Sequence, residues 1–270
     1  MQQPIAILDS GVGGLTVVKE VLRQLPQEKI IYFGDTARAP YGPRSPEEVL
    51  IFTRQIVDYL VQFKPKMILI ACNTATAVAL DDIRSRVSIP VVGVIHPGAR
   101  AAIKKSRTGL VGVIGTEGTI RSKAYDHALH EISRNIQVYS AACPQLVTVV
   151  EQGLFFGAET TRIVDQSLVY LKDKPIDCLI LGCTHFPFLL DTIAEVMGPK
   201  VALISSAEES AREISAILSH QGLLAKAADE PIHQFFCSGD AMMFRKITEE
   251  WLAGQIQGNP DVSQVSSFEA

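Results

Sequence analysis

The sequence predicts an α/β protein made of two pseudo-symmetric, doubly wound domains of mostly parallel sheet, with the active site in the cleft between them. Three observations predict it. Short β-branched runs alternate with helix-period segments along nearly the whole chain, the pattern of parallel sheets joined by helical crossovers. Most of these runs are apolar throughout rather than alternating, as in strands covered on both faces. The chain also echoes itself: Ile5–Gly11 resembles Val111–Glu117, and Met67–Thr74 resembles Cys178–His185, at offsets of 106 (Ile5 to Val111) and 111 (Met67 to Cys178). A near-constant offset suggests a duplicated α/β half.

In order, Ile5–Leu8, Ile30–Phe33, Met67–Ala71, Val91–Ile95, Leu110–Ile114, Gln137–Ala141, Cys178–Leu181, Val201–Ile204 and Gln234–Cys237 read as strands. Segments such as Pro46–Phe63 and Thr160–Lys172 carry apolar residues at three- and four-residue spacing and read as helices. His96-Pro97-Gly98, directly after a strand, is a natural place for the chain to leave one domain. The expected division is 1–95 together with 207–253, then 96–206, then a tail over 254–270. In that tail the pattern dissolves into Gln, Gly, Asn, Pro and Ser, so little contribution to the core is expected.

Length and composition narrow the function classes. The 270 residues suit one large or two small domains at about 150 residues each. With 47% apolar and 20% charged residues, disordered and fibrous classes are excluded. A net charge of −4 argues against a nucleic-acid partner, which a basic patch would announce. No apolar stretch reaches the roughly 20 residues that cross a bilayer. Met-Gln-Gln-Pro runs straight into Ile5 without a basic leader, so no secretory signal is expected. Five cysteines without framework spacing fit a reduced, cytoplasmic setting.

Cys72 and Cys183 are the residues that point to chemistry. Each stands just past an apolar strand, where open α/β sheets place ligands. Each is followed by a small polar pair, Asn73-Thr74 and Thr184-His185, able to bind an anion or stabilise a thiolate. A helix starting at either point is expected to lower the thiol pKa through its dipole. If the halves face each other, two sulfurs approach one cleft from opposite sides. That arrangement suits inversion of a stereocentre bearing an acidic C–H, which needs a base on one face and an acid on the other. A redox pair would more often be Cys-x-x-Cys, and a zinc site would need further ligands.

Around the thiols, Asp9–Gly14 follows the first strand, but Thr16 replaces the third glycine of a dinucleotide loop, so the glycines read as close backbone approach to a small ligand with Ser10 as donor. Asp9 reads as a helix N-cap, favoured by spacing, or as an acid that binds an ammonium and tunes a thiol. The turn-rich loop Asp35–Pro43 offers Tyr41 and Gly42 to a carboxylate, or is an ordinary turn before a helix capped at Ser45. His185 is near enough to Cys183 to share a proton. His127 and His130 read as a solvated helix face with no third metal ligand apparent, and no metal is expected. His96, His220 and His233 read as structural, and Cys143, Cys178 and Cys237 as buried and inert. Thr116 and Thr119 occupy the second half's counterpart of the Asp9-Ser10 loop; Glu151 follows the apolar run Leu146–Val150, and its spacing leaves its role open.

The motifs Asp9-Ser10-Gly11-Val12-Gly13-Gly14, Gly34-Asp35-Thr36, Pro40-Tyr41-Gly42, Ala71-Cys72-Asn73-Thr74-Ala75-Thr76, Gly115-Thr116…Thr119 and Leu181-Gly182-Cys183-Thr184-His185-Phe186-Pro187 together resemble the glutamate racemases of the two-cysteine aspartate/glutamate racemase superfamily. The resemblance runs in order over about the first 210 residues. It implies a cytoplasmic, cofactor-independent isomerase that interconverts L- and D-glutamate and supplies D-glutamate for peptidoglycan, commonly as a homodimer. Carried over residue by residue, it implies that Cys183 takes the α-proton from L-glutamate and Cys72 from D-glutamate, assisted by Asp9 and His185. Ser10, Tyr41, Gly42, Asn73, Thr74, Thr116, Thr119 and Thr184 would hold the substrate, with Glu151 a further carry-over. Relatives acting on aspartate, a non-catalytic amino-acid sensor and a thiol redox protein are the competing readings, since pocket shape, not spacing, reads side-chain length.

Overall fold

The computed structural model describes residues 3–226, 231–256 and 260–265. The chain begins β1 (Ile5–Asp9), α1 (Leu15–Gln24), β2 (Ile30–Gly34), α2 (Pro46–Leu60), β3 (Met67–Ile70), α3 (Asn73–Arg86) and β4 (Val91–Gly93). It continues α4 (Ile95–Lys105), β5 (Leu110–Gly115), α5 (Glu117–Ser122), α6 (Ala124–Ile132), β6 (Gln137–Ala142), α7 (Pro144–Glu151), α8 (Ala158–Lys172) and β7 (Cys178–Gly182). It closes with α9 (Leu190–Met197), β8 (Ala202–Ser205), α10 (Ser206–His220), β9 (Gln234–Cys237), α11 (Ala241–Trp251) and β10 (Asp261–Gln264).

These strands form two sheets, ordered β10-β9-β2-β1-β3-β4 and β6-β5-β7-β8, and every pairing is parallel. The run β2-β1-β3-β4 has the same order as β6-β5-β7-β8, the topological form of the internal echo. Because side chains alternate along a strand, each sheet feeds two cores. Ile5, Ile7 and Tyr32 pack with Val17, Val21 and the α10 stripe Ala207, Ala211, Ile214 and Leu218 on one face of the larger sheet. Ala6, Leu8, Ile31 and Phe33 pack with Val49, Ile56, Ala79 and Ile83 from α2 and α3 on the other. The smaller sheet divides likewise between a layer of α7, α8 and α9 and a layer of α4 and α6. The apolar-throughout strands are therefore doubly covered, as their composition predicts.

Two local expectations need correction. The strand expected over Val91–Ile95 ends at Gly93, and His96-Pro97-Gly98, where the chain is expected to leave one domain, lies in the first turn of α4. Proline is tolerated there because the first-turn N–H groups have no intrahelical partner. The segment after Gly254, expected to add little, supplies β10, whose Val262 is buried against the larger sheet. With three of its four residues exposed, this edge strand has no apolar run to announce it. No helix of the described residues is long and apolar enough to cross a membrane.

One buried ion pair ties the crossover from α10 to β9 onto the larger sheet. Lys66 Nζ lies 2.5 Å from Glu28 Oε2, both side chains almost fully enclosed. Lys66 also donates to the Leu223 carbonyl at 2.7 Å, and Glu28 Oε1 accepts from the Ala225 amide at 2.8 Å. Removing one member strands the other charge inside the protein. Lys66→Met is expected to lower the unfolding free energy by about 3–5 kcal/mol, read as a fall in the urea midpoint at constant slope. A loss below about 1 kcal/mol would mean that the pair does not pin this segment.

Candidate active site

Strands that all run one way bring their carboxyl ends, and the loops that follow, to a single edge of each sheet. Here the two edges meet around one pocket. Its lining takes Ser10 from after β1, Pro40, Tyr41 and Gly42 from after β2, and Cys72, Asn73 and Thr74 from after β3. From the other half come Thr116 after β5, Val147 on α7, and Cys183, Thr184 and His185 after β7. The cavity they enclose is small, about 20 Å³. Both thiols reach this pocket, and both are buried.

In the first half, Cys72 is the N-cap of α3 and its Sγ accepts from the Ala75 amide at 3.5 Å. A helix dipole was expected to lower this thiol's pKa, and the structure shows the opposite shift. Burial pushes Cys72 up to about 12, the nearby Asp9 carboxylate adds to the rise, and hydrogen bonds from Ser10 and Ala75 offset only part of it. The desolvated thiol is therefore held protonated. Asp9 is also not an N-cap: α1 begins at Gly14 without a side-chain cap. Instead its Oδ2 accepts from the Gly11 amide at 3.1 Å and its Oδ1 from Thr184 at 3.4 Å, across the two halves. Full burial raises the Asp9 pKa, opposed by the charge of His185 and by the hydrogen bonds around the carboxylate.

Tyr41 enters the pocket wall with its hydroxyl turned away, donating to Asp35. Asp35 is fully buried and is fixed by Arg38 Nε at 2.7 Å and Ser238 Oγ at 2.7 Å. The loop that follows runs into α2 through a complete capping box at Ser45 and Glu48. The segment therefore lines the pocket and also leads into a capped helix.

In the second half, Cys183 is followed by a short 3₁₀ turn over Phe186–Leu189 rather than directly by an α-helix. Its charge partner is a side chain: His185 Nδ1 lies 3.6 Å from Cys183 Sγ. On its other side His185 Nε2 lies 3.5 Å from Glu151 Oε1, an ion pair whose geometry falls short of a hydrogen bond. Burial opposes a charge on this imidazole, but Cys183, Glu151 and Asp9 together outweigh it and push its pKa up to about 10. These neighbours favour the charged form of the ring.

The halves are stitched together at the pocket. Thr74 lies 2.8 Å from Thr116 and 3.2 Å from Thr119, which are themselves 3.1 Å apart. The Gly118 amide donates to the Gly42 carbonyl at 2.9 Å, and Thr16 donates to the Thr184 carbonyl at 3.0 Å. Gly13 makes this approach possible: a Cβ there would stand 2.5 Å from Thr184 Oγ1 and 2.7 Å from the His185 ring, while one on Gly14 would stand 2.5 Å from the Asp9 Cβ within the first half.

The structure thus gathers ten of the thirteen candidate residues on the pocket wall. Asp9 lies directly behind it, Thr119 backs the threonine cluster, and Glu151 stands at the mouth, lining the neighbouring clefts. Pro40, named only within its motif, and Val147, not singled out by the sequence, also line the pocket. Val147 falls in the apolar run before Glu151, and nothing local distinguishes it from its buried neighbours. Among the described residues no group of three His, Cys, Asp or Glu side chains is placed to hold a metal ion.

Comparison with known proteins agrees with this geometry. The family model for Asp/Glu/Hydantoin racemase matches residues 8–214. A glutamate racemase of Listeria innocua is 52% identical over 252 residues, covering 93% of this chain and 95% of that one. The crystal structure of glutamate racemase isoform RacE1 from Bacillus anthracis superposes with a TM-score of 0.94 at 50% identity, covering 98% of this chain and 97% of that one. The Francisella tularensis glutamate racemase, solved in complex with D-glutamate, gives a TM-score of 0.90 at 36% identity, with 98% of each chain covered. Matched along this length and with this fold, the chain belongs to the Asp/Glu/Hydantoin racemase family of isomerases, alongside the glutamate racemases.

Proposed function

We propose that this protein interconverts L- and D-glutamate by a two-base mechanism on Cys72 and Cys183, and that in the cell it supplies D-glutamate for peptidoglycan. The observation that carries the reading is the arrival of two buried thiols, from equivalent positions in the two halves, at one small pocket. The reading includes a cytoplasmic homodimer whose two domains are 1–95 with 207–253 and 96–206, with the strand at Asp261–Gln264 added to the first.

In the L-to-D direction, Cys183 Sγ takes the α-proton, and the electron pair left on Cα spreads into the substrate carboxylate. Cys72, held as a thiol, delivers its proton to the opposite face. Cys183 ends protonated and Cys72 ends as the thiolate; the reverse direction exchanges the roles. The His185 imidazolium, 3.6 Å from Cys183 Sγ, compensates negative charge on that sulfur. Asp9 is positioned to balance the substrate ammonium. Ser10, Asn73, Thr74, Thr116 and Thr184 supply neutral donors, fixed before the reaction begins, to the charge that develops on the carboxylate. A pocket sealed by cross-half hydrogen bonds excludes the water that would otherwise solvate the carbanion.

The direct test is incubation with L-glutamate in heavy water without added cofactor. Inversion and deuterium entry at Cα are expected together, and L-aspartate should show neither; failure of both with glutamate would remove the reading. Cys72→Ser and Cys183→Ser should each lower inversion by about 10²–10⁴-fold without loss of the folded state. Gly13→Ala, which displaces Thr184 and His185 rather than any reacting atom, should cost on the order of 100-fold.

The pH dependence has a defined sign. His185 is raised to about 10, so its positive charge is present below that value and lost as pH rises through it. The alkaline limb of kcat/KM is expected to reflect this loss as a macroscopic property of the coupled site. In His185→Gln that limb should move; an unchanged limb would exclude the imidazolium from the chemistry.

A further inference from the structure

Resting on the reading above, we propose that Tyr125 is a positioning residue for substrate binding: its hydroxyl holds the Asn73 side-chain amide by the oxygen, so that the amide nitrogen faces the substrate carboxylate. Nothing in the local sequence marks Tyr125, which lies on α6 far from either thiol in the chain, and the pocket wall does not include it.

Four observations support the assignment. Tyr125 Oη donates to Asn73 Oδ1 at 2.8 Å, joining the two halves beside Cys72. Asn73 is 2% exposed, lies on the pocket wall, and its Nδ2 has no hydrogen-bond partner. A buried amide N–H without an acceptor is costly, and most are paired in native structures, so an unpaired one at a pocket wall points to an acceptor that arrives with the ligand. The tyrosine itself has little freedom. A Cβ added at Gly182 would lie 2.9 Å from its Cε2, and one at Gly98 would lie 3.4 Å from its Cε1 and hydroxyl. Burial, with the charge of Cys183 adding to it and a hydrogen bond from Ser206 opposing, raises its pKa and keeps the hydroxyl a donor.

The charge balance of the pocket explains why the orientation matters. Its lining contains no Lys or Arg among the described residues, so both substrate carboxylates rely largely on neutral donors. An amide is nearly symmetric in shape but opposite in polarity at its two ends. Held by its oxygen, Asn73 presents N–H to the anion; turned over, it presents a carbonyl oxygen and repels it. Because donor and acceptor come from different halves, the bond also makes the correct orientation a property of the closed cleft.

The test is a double-mutant cycle with Tyr125→Phe and Asn73→Ala, read as kcat and KM for both glutamate enantiomers and as the rise in melting temperature with D-glutamate. Removing the amide should lower kcat/KM by roughly 100-fold, and freeing it to turn over should lower it by about tenfold. The double variant should match Asn73→Ala alone, because the hydroxyl then has nothing to orient. The Tyr125→Phe loss should fall on KM for both enantiomers, and the D-glutamate-induced shift in melting temperature should shrink. Multiplying losses in the double variant, or Tyr125→Phe with wild-type KM, would overturn the proposal, including where the substitution merely loosens the fold. Absence of glutamate inversion in the unmodified protein would instead overturn the function on which it rests.

Discussion

Every functional group of this molecule depends on the parallel direction of its strands. In a parallel sheet the backbone is satisfied internally and both faces are covered by helices, so the loops at one edge are the part free to meet a ligand. Two such edges placed against each other produce a pocket whose walls come from separate sheets. Ser10 and Cys72 arrive on one side, Thr116 and Cys183 on the other. Neither half alone encloses a ligand. The hydrogen bonds across the seam, between the threonines, from Gly118 to Gly42 and from Thr16 to Thr184, set how closely the walls approach.

That closeness governs the electrostatics. A pocket open to water would leave Cys72, Asp9 and His185 near their ordinary ionisation, because solvent screens charges at such distances. Burial changes all three. The pKa values of Cys72 and Asp9 are raised by burial, while that of His185 is raised against its own burial by Cys183, Glu151 and Asp9. Mutual dependence of this kind means that no member has its properties alone. It also explains the glycines at 13 and 14, where a single methyl group would separate Asp9, Thr184 and His185.

The elements and the two thiols were legible because their signals are local. An apolar run announces a doubly covered strand, Ser45 and Glu48 announce a capped helix, and a cysteine followed by small polar residues announces a strand-end site. What escaped was set by contacts distant in sequence. The carboxylate of Asp9 has the spacing of an N-cap, but Thr184, 175 residues away, and the Gly11 amide take it over. The wall of Tyr41 stands because Ser238, from the far end of the chain, helps to hold Asp35. The strand at Asp261–Gln264 buries little beyond Val262 and forms by templating on the edge of β9, which no period in its own residues reveals. The expected lowering of the Cys72 pKa failed for a related reason. The helix N-terminus is present, but burial of the thiol against the core of its own sheet, with the Asp9 carboxylate beside it, overrides the dipole.

Duplication supplies two thiols, and divergence between the copies makes them different. In register, Cys72-Asn73-Thr74 corresponds to Cys183-Thr184-His185, so the position after next is a neutral hydroxyl on one side and an imidazole on the other. Asp9 adds negative charge beside Cys72, and His185 adds positive charge beside Cys183. Two groups of the same type therefore stand in different electrostatic surroundings within one pocket, the circumstance that separates the roles of paired titratable groups. The asymmetry lies in the side chains, superimposed on a strand order that repeats between the halves.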